Sequence, residues 1–530
     1  MHHSLLESLL KPSAYAEPVS SVIMLQTHVS WILLTDYHAW KIKKPVNFGF
    51  LDFSTIEKRR FYCQEEVRLN RRLCPDIYEG VIELRETSDG GVAFHGYGRV
   101  IDYAVRMKRL PADKMLDRLV DNNEVGLEEM RALARVIADF HRSSDTSSAI
   151  SEYGNLEHIR FNWQENFAQV IQFENSTLPL RERKLLTDWI HSFMQEHETL
   201  FQDRVNNGYI RECNGDIHLE NICFADSGMC IFDCIEFNER FRCCDTASDI
   251  AFLLMDLDLH ERRDLAEELL STYQNITGDT TLGDLIDFYK IYRAFVRGKV
   301  ESFRLNDSGI SEEEKEIAFK KAIKYFRLAL GYIQRLSLKP TLFITCGLMG
   351  CGKSTLAAEL AFELGLKVYS SDSVRKTNAG IPVTSSQFDT FGEGLYSAGA
   401  TASVYDELFR LAKQELASGR SVIIDASFIR YKDRLRFATL AAELGIDFLI
   451  LYFECNEAEN LARLQRRFLQ GNSISDGRPE LLESQRLEFE RPQKKERTVV
   501  VLDAAKNVYA LINDIYCQFS KIRINQDSAD

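Results

Sequence analysis

Thr341-Leu-Phe-Ile-Thr-Cys346-Gly347-Leu-Met-Gly350-Cys-Gly352-Lys353-Ser354-Thr355 decides the reading of the C-terminal third of the chain. The run 341–346 is apolar and predicts a strand, and the residues after the glycines open a helix. Between them, Gly347 to Ser354 satisfy G-x-x-x-x-G-K-[ST] in full, in the strand–loop–helix setting that the motif requires. Gly347, Gly350 and Gly352 let backbone N–H groups wrap phosphate oxygens, and the helix N-terminus adds a favourable dipole. Lys353 is then placed to reach the β- and γ-phosphates of ATP. Ser354 is the Mg²⁺ ligand, with Thr355 beside it. A glycine-rich turn carrying a chance lysine is the bland alternative.

Downstream, strand-like runs recur at 367–369, 421–425, 448–453 and 498–502, separated by helical segments. That alternation predicts an α/β unit, a parallel sheet covered by helices. Ser371-Asp372-Ser-Val-Arg375 follows the second strand, where sheets of this kind face their ligand. Asp372 can accept the proton of a substrate hydroxyl, and Arg375 can bind a substrate anion; the alternative is a helix-capping aspartate beside a surface arginine. Val422-Ile-Ile-Asp425 ends a hydrophobic strand in an acid, so Asp425 holds Mg²⁺ through water or positions the acceptor. The helical run 460–469 carries Arg463, Arg466 and Arg467, and polar residues 471–478 follow. Arg463 and Arg467 are the candidates for a lid that stabilises charge during phosphoryl transfer. A solvated basic face is their alternative. These residues resemble the P-loop kinases that include polynucleotide 5′-kinases, zeta-type toxins and small-metabolite kinases. The Asp-x-x-Arg pair resembles the polynucleotide kinases in particular, which implies a hydroxyl acceptor: a small molecule or a polynucleotide 5′-OH.

Upstream, Leu338-Lys339-Pro340 punctuates the chain, and the expected division is 1–337 and 338–530. Short β-type runs at 29–34, 40–43, 80–84, 92–97 and 104–107 are interrupted by a charged helix at 56–73. Helical patterns cover 125–200 and 246–336, on either side of a strand-and-loop block at 208–237. A β-rich lobe followed by a helical lobe is the α+β order of a bilobal protein-kinase-like fold.

Asn214-Gly-Asp216-Ile-His218-Leu-Glu-Asn221 keeps the D-x-x-x-x-N spacing of a kinase catalytic loop, and Ile231-Phe-Asp233 follows. Asp216 is the candidate base, with Asn221 and Asp233 as Mg²⁺ ligands. In Trp40-Lys41-Ile-Lys43 the two lysines share a face if the run is a strand, so spacing leaves open which one holds phosphate. Glu66 is the acid that would pair with it. Met107 stands where a hinge would lie beside adenine. No G-x-G-x-x-G precedes the lysines, so residues 27–30 and the Thr35-Asp36 turn would have to cover the phosphates. His141 reads as a packing histidine.

The loop resembles that of aminoglycoside phosphotransferases and choline kinases, where H-G-D is usual and Asn214 here replaces the histidine. In that resemblance Asp245 and Asp249 brace the loop. With residues 43–54 and 211–256, about residues 20–500 resemble a bacterial two-domain family, an aminoglycoside phosphotransferase-like domain fused to a P-loop ATP-binding kinase domain. The resemblance implies ATP use and phosphotransfer, and the first reading is a bifunctional kinase with two nucleotide sites. Two alternatives remain: a regulatory or binding pseudokinase N-terminal domain, or an ATPase switch without an acceptor.

The 530 residues carry a net charge of −14, which disfavours nonspecific nucleic-acid binding by the whole surface. No apolar run is long enough to span a bilayer and no basic-then-apolar leader opens the chain, so a cytoplasmic protein without membrane attachment is expected. Twelve scattered cysteines read as reduced thiols rather than a disulfide framework. Oligomeric state is not legible.

Overall fold

The computed structural model describes residues 3–225, 228–307, 309–382, 397–470, 479–493, 496 and 498–527. The chain divides into two compact units, Met1–Ala329 and Leu330–Asp530.

The N-terminal unit opens with six antiparallel strands, β1 (Ile23–Gln26), β2 (Ser30–Leu34), β3 (His38–Lys43), β4 (Tyr78–Glu86), β5 (Val92–Ala93) and β6 (Val100–Lys108). Their spatial order is β1-β2-β3-β6-β4-β5. Alternation on β3 sends Trp40 and Ile42 to one face, where they pack with Leu33, Leu84 and Ala104. Lys41 and Lys43 take the other face, toward the helix Ile56–Asn70. That helix is capped by Thr55, whose hydroxyl accepts the Lys58 N–H, and it buries Cys63, Glu66, Val67 and Asn70 at helical spacing. The strand expected over 92–97 stops at Ala93, because the chain turns through Gly96 at φ +97°.

Helices Leu127–Ser143, Leu156–Val170, Leu180–Glu196, Glu198–Asn206, Thr246–Leu259, Arg263–Thr277 and Leu282–Arg304 build most of the rest of the unit. Residues 246–258 are buried without a break, which makes Thr246–Leu259 its central helix. Two short ladders frame the loop between them: β7 (Ile210–Glu212) pairs with β10 (Cys243–Asp245), and β8 (Ile222–Ala225) with β9 (Gly228–Ile231). The expectation of wholly reduced cysteines fails at one pair. Cys74 and Cys230 form a disulfide across 156 residues, a separation at which spacing carries no signal.

The C-terminal unit is a five-stranded, all-parallel sheet: β11 (Thr341–Cys346), β12 (Lys367–Ser370), β13 (Val422–Asp425), β14 (Asp447–Glu454) and β15 (Val499–Asp503). The order is β12-β13-β11-β14-β15, and every pairing is parallel, as the alternating pattern predicts. All of β11 is buried, because helices cover both faces of the sheet. The chain leaves β11 past β13 and returns at β14 on the other side, which opens a crevice at the strands' carboxyl ends. No helix among the described residues is long and apolar enough to cross a membrane.

Candidate active sites

In the N-terminal unit, Glu66 lies between the two lysines. Lys41 Nζ is 2.9 Å from Glu66 Oε1 and 2.5 Å from Asp233 Oδ1. Lys43 Nζ is 2.6 Å from Glu66 Oε2 and also bonds Glu236. Lys43 is sealed at 1% exposure, whereas Lys41 borders a cavity of about 890 Å³ that also takes in Asp216 and Asp233. Burial pulls the Lys41 ammonium down, but Asp233, Glu66 and Glu236 outweigh it and hold it well above its ordinary value. Burial likewise pushes Glu66 up, and the two lysines override that and bring its carboxyl to about 2. Asp233 sits at φ +58°, a left-handed backbone that a non-glycine residue adopts under constraint. Its N–H donates to the Tyr78 hydroxyl at 3.3 Å.

Asn221 donates its side-chain amide to Asp216 Oδ2 at 3.0 Å and to the Asp216 carbonyl at 3.1 Å. Three neighbours and one residue of its own fix the loop that carries them. The Asp249 carboxylate accepts the N–H groups of Asn214 at 3.1 Å and Gly215 at 2.8 Å. Asp256 accepts that of Leu219 at 2.9 Å. Arg293 donates to the Gly215 carbonyl at 2.8 Å, and the side-chain oxygen of Asn214 itself accepts the Asp216 N–H at 2.9 Å. Gly215 has φ +86°, and a Cβ there would lie 2.7 Å from the Phe241 carbonyl, so only glycine fits. His141 is buried between the Tyr273 hydroxyl at 2.7 Å and Asp249 at 3.1 Å. Asp245 caps the central helix through the Ala247 N–H and holds Arg204. Burial raises Asp216, but the neighbouring His218, with Arg297 and Arg293, prevails and lowers it, so it is an ionised acceptor. Met107 joins an apolar cluster with Cys63, Val67, Tyr78 and Val105.

Glu236, Tyr78, Arg293 and Asp256 escape sequence reading. Glu236 is three residues past Asp233, and its only sequence signal is a second acid after the turn.

In the C-terminal unit the glycine loop joins β11 to the helix Lys353–Leu364. Gly347, Gly350 and Gly352 all have positive φ, and Ser354 and Thr355 are exposed on the first turn of that helix. A Cβ on Gly350 would fall 2.6 Å from Leu464 Cγ and 2.7 Å from Asn460 Oδ1, so the loop is packed to the glycine limit. Lys353 Nζ bonds the Leu348 carbonyl at 2.8 Å. The Met349 N–H donates to Gln485 Oε1 at 2.7 Å.

Register brings the strand ends together. Ile344 of β11 pairs with Ile424, and Ser370 of β12 pairs with Asp425. Asp425 is buried, with its Oδ1 3.0 Å from the Thr345 hydroxyl. The helix Ser371–Asn378 is capped by Ser370, which accepts the Ser373 N–H. The Asp372 side chain is therefore not the cap. Arg375, one turn on, is buried with Nη1 3.5 Å from the Thr401 hydroxyl. Arg463 Nη2 bonds Glu459 at 2.5 Å and the Ala504 carbonyl at 2.6 Å. The side chain of Arg467 and residues 471–478 lie outside the described residues, while Arg466 is exposed.

Comparison with known proteins bears on both units. An uncharacterized protein of Mycobacterium tuberculosis strain H37Rv is 30% identical over 444 residues, covering 83% of this chain and 85% of its own. An uncharacterized protein of Mycobacterium bovis matches to the same extent. The chain belongs to their family. Residues 342–492 of this family member also match the family model described as an AAA domain. Among solved structures, a gluconokinase from Sinorhizobium meliloti 1021 is 18% identical, covering 36% of this chain and 98% of its own at a TM-score of 0.27. Kti12 of Chaetomium thermophilum, in complex with ADP-AlF3, is 17% identical, covering 34% and 96% at a TM-score of 0.27.

Proposed function

We propose that this protein is an ATP-dependent phosphotransferase with hydroxyl acceptors, built from a bilobal kinase-like N-terminal unit and a P-loop kinase unit, each with its own nucleotide site. The observation that carries the reading is the convergence of Lys41, Asp216 and Asp233 on one cavity, with Glu66 bonded to Lys41 and Asn221 to Asp216 behind them. Phosphoryl transfer needs a cation on the phosphates, a base on the acceptor hydroxyl and oxygen ligands for a metal, and these residue types supply each.

Lys41, held by Glu66, binds the ATP phosphates. Asp216 accepts the proton of the acceptor hydroxyl as its oxygen attacks the γ-phosphorus; the new O–P bond forms, the bond to the bridging oxygen breaks, and ADP leaves. Asn221 spends its N–H on Asp216, which leaves its amide oxygen for a cation; with the Asp233 carboxylate this is an all-oxygen donor pair suited to Mg²⁺. Magnesium, when bound, neutralises charge on the phosphates. Asn214 supports an active loop, because its side-chain oxygen takes the Asp216 N–H and keeps the turn closed.

In the P-loop unit, Gly347, Gly350, Gly352, Lys353, Ser354 and Thr355 form the phosphate cradle. Ser354 and Asp425 would hold Mg²⁺. Asp372 serves as base, Arg375 binds the acceptor, and Arg463 or Arg467 acts as the lid cation. The acceptor there is a small molecule or a polynucleotide 5′-OH, and the protein acts in the cytoplasm, where ATP is supplied. Calorimetric titration with MgADP tests the two-site reading. Wild type should bind about two equivalents, and Lys353→Ala and Lys41→Met about one each. A single equivalent in wild type, lost in only one variant, would reduce the protein to one nucleotide site.

A further inference from the structure

Beyond Asp216, the N-terminal cavity runs between the helices Leu156–Val170 and Leu282–Arg304. Its wall there is largely apolar, with Phe252, Tyr292, Val296 and Phe303 among its residues, and its polar members Asn166 and Gln169 lie on the helix Leu156–Val170. Lys299 breaks that wall. Its ammonium donates to Asn166 Oδ1 at 2.6 Å and Gln169 Oε1 at 2.8 Å, both neutral amides. The neighbouring carboxylate, Glu165, is bonded to Arg240 at 2.8 Å. Arg293, also on the wall, gives its guanidinium to the Gly215 and Ser248 carbonyls. Trp163 is fully buried in the same wall, and its indole N–H has no hydrogen-bond partner among the described residues.

Cations and a donor in apolar surroundings are costly unless an anion satisfies them. Burial without a bonded carboxylate pulls Lys299 down to about 8, the behaviour of an ammonium that lacks its counter-ion. The carboxylates elsewhere on the lining are engaged: Asp245 with Arg204 and Asp307 with His28. Asp233 and Glu236 belong to the lysine cluster.

We propose that Lys299 binds an oxyanion group, carboxylate or phosphate, on the phosphate acceptor of this unit. The acceptor is then a hydroxyl compound whose anion lies across an apolar spacer from the hydroxyl, and it is not a polyamino sugar. The anion site stands on the cavity wall alone; calling its ligand the acceptor rests on Asp216 being the base. Arg293 holds the residue next to Asp216, and Lys299 is six residues along the same helix, roughly 9 Å at about 1.5 Å per residue. That sets the order of the hydroxyl-to-anion distance.

The test is calorimetric binding to the full chain, without ATP. Probes are 3-(4-hydroxyphenyl)propanoate, 8-hydroxyoctanoate, the methyl ester of each, and kanamycin as a polyamino sugar. The carboxylates should bind saturably and about tenfold or more tighter than their esters, the gain of one charge-assisted contact. Lys299→Met should erase that difference and Lys299→Arg should keep most of it, with thermal melts verifying that both variants fold. Esters or kanamycin binding as tightly as the carboxylates would overturn the proposal, as would carboxylates that fail to saturate at millimolar concentration. Addition of MgATP separates the two readings. Carboxylates that bind wild type but receive no phosphate would sink the phosphotransfer reading of this unit and leave the anion site standing.

Discussion

Gln485 accepts the backbone N–H of Met349 at 2.7 Å, inside the glycine loop that is shaped to hold phosphate. Lys353 is turned onto the Leu348 carbonyl at 2.8 Å. Both are donors of the kind that phosphate oxygens accept from, so a nucleotide bound through the Met349 N–H would displace Gln485. Removing one competing hydrogen bond is worth about 1 kcal/mol. Gln485→Ala should therefore bind MgADP at the P-loop unit severalfold more tightly, measured calorimetrically in a Lys41→Met background. Weaker binding would mean that Gln485 shapes the loop instead of competing for it.

Lys41 and Lys43 should separate function from stability. Lys41→Met leaves Glu66 paired with Lys43 and should lower phosphoryl transfer by the N-terminal unit about 10²–10³-fold, the cost of one preorganised charge contact. Lys43→Met leaves Glu66 and Glu236 buried beside each other with one cation fewer. It should destabilise the unit by about 3–5 kcal/mol in urea unfolding. Equal loss of activity and equal stability in the two variants would contradict the division.

The sequence states these features unevenly. The glycine loop is local, eight residues that carry their chemistry in order, and the parallel strands announce themselves as apolar runs between helices. Asp216 and Asn221 are likewise five residues apart. The choice between Lys41 and Lys43 is not local: strand alternation puts both on Glu66, and only Asp233, 192 residues from Lys41, marks the one beside the cavity. Gln485 meets Met349 across 136 residues and Cys74 meets Cys230 across 156, and neither carries a spacing signal. Lys299 reads as one more basic residue on a helix until Asn166 and Gln169 are folded around it. The edge strand β1 is exposed along its length, and its run Ile23-Met-Leu-Gln26 offers no apolar–polar alternation to announce it.

Acid should weaken the P-loop unit through Glu415. This buried carboxylate receives Lys367 at 2.9 Å, Arg420 at 2.6 Å and the Tyr369 hydroxyl at 2.9 Å. Burial raises it, but these donors prevail and bring it from 4.5 to about 2. A depressed carboxylate contributes stability that is complete above its unfolded value and lost as pH falls. Melting temperature should therefore decline between about pH 4.5 and 2, and Glu415→Gln should flatten that decline. An unchanged slope in the variant would assign the acid sensitivity elsewhere.

Alkali should act on Lys299. Burial lowers it from 10.5 to about 8, Glu165 lifts it and Arg240 opposes, and among the described residues its bonded partners are the neutral amides of Asn166 and Gln169. The ammonium is charged below about pH 8, so hydroxy-carboxylate affinity should fall as pH rises through that value. Between about 8 and 10.5 the unfolded chain binds more protons at this site, so the same rise in pH should increase its contribution to stability. Lys299→Met should remove both trends.

The central claim is that Asp216 and Lys353 serve two separate phosphotransfer sites. Its most direct test is transfer of labelled γ-phosphate from ATP to a metabolite extract supplemented with a 5′-hydroxyl oligonucleotide. Wild type, Asp216→Ala and Lys353→Ala would be run in parallel. The expected result is at least two labelled products, one lost with Asp216→Ala alone and another with Lys353→Ala alone. Label appearing only as free phosphate in wild type would contradict the account and leave an ATPase without an acceptor.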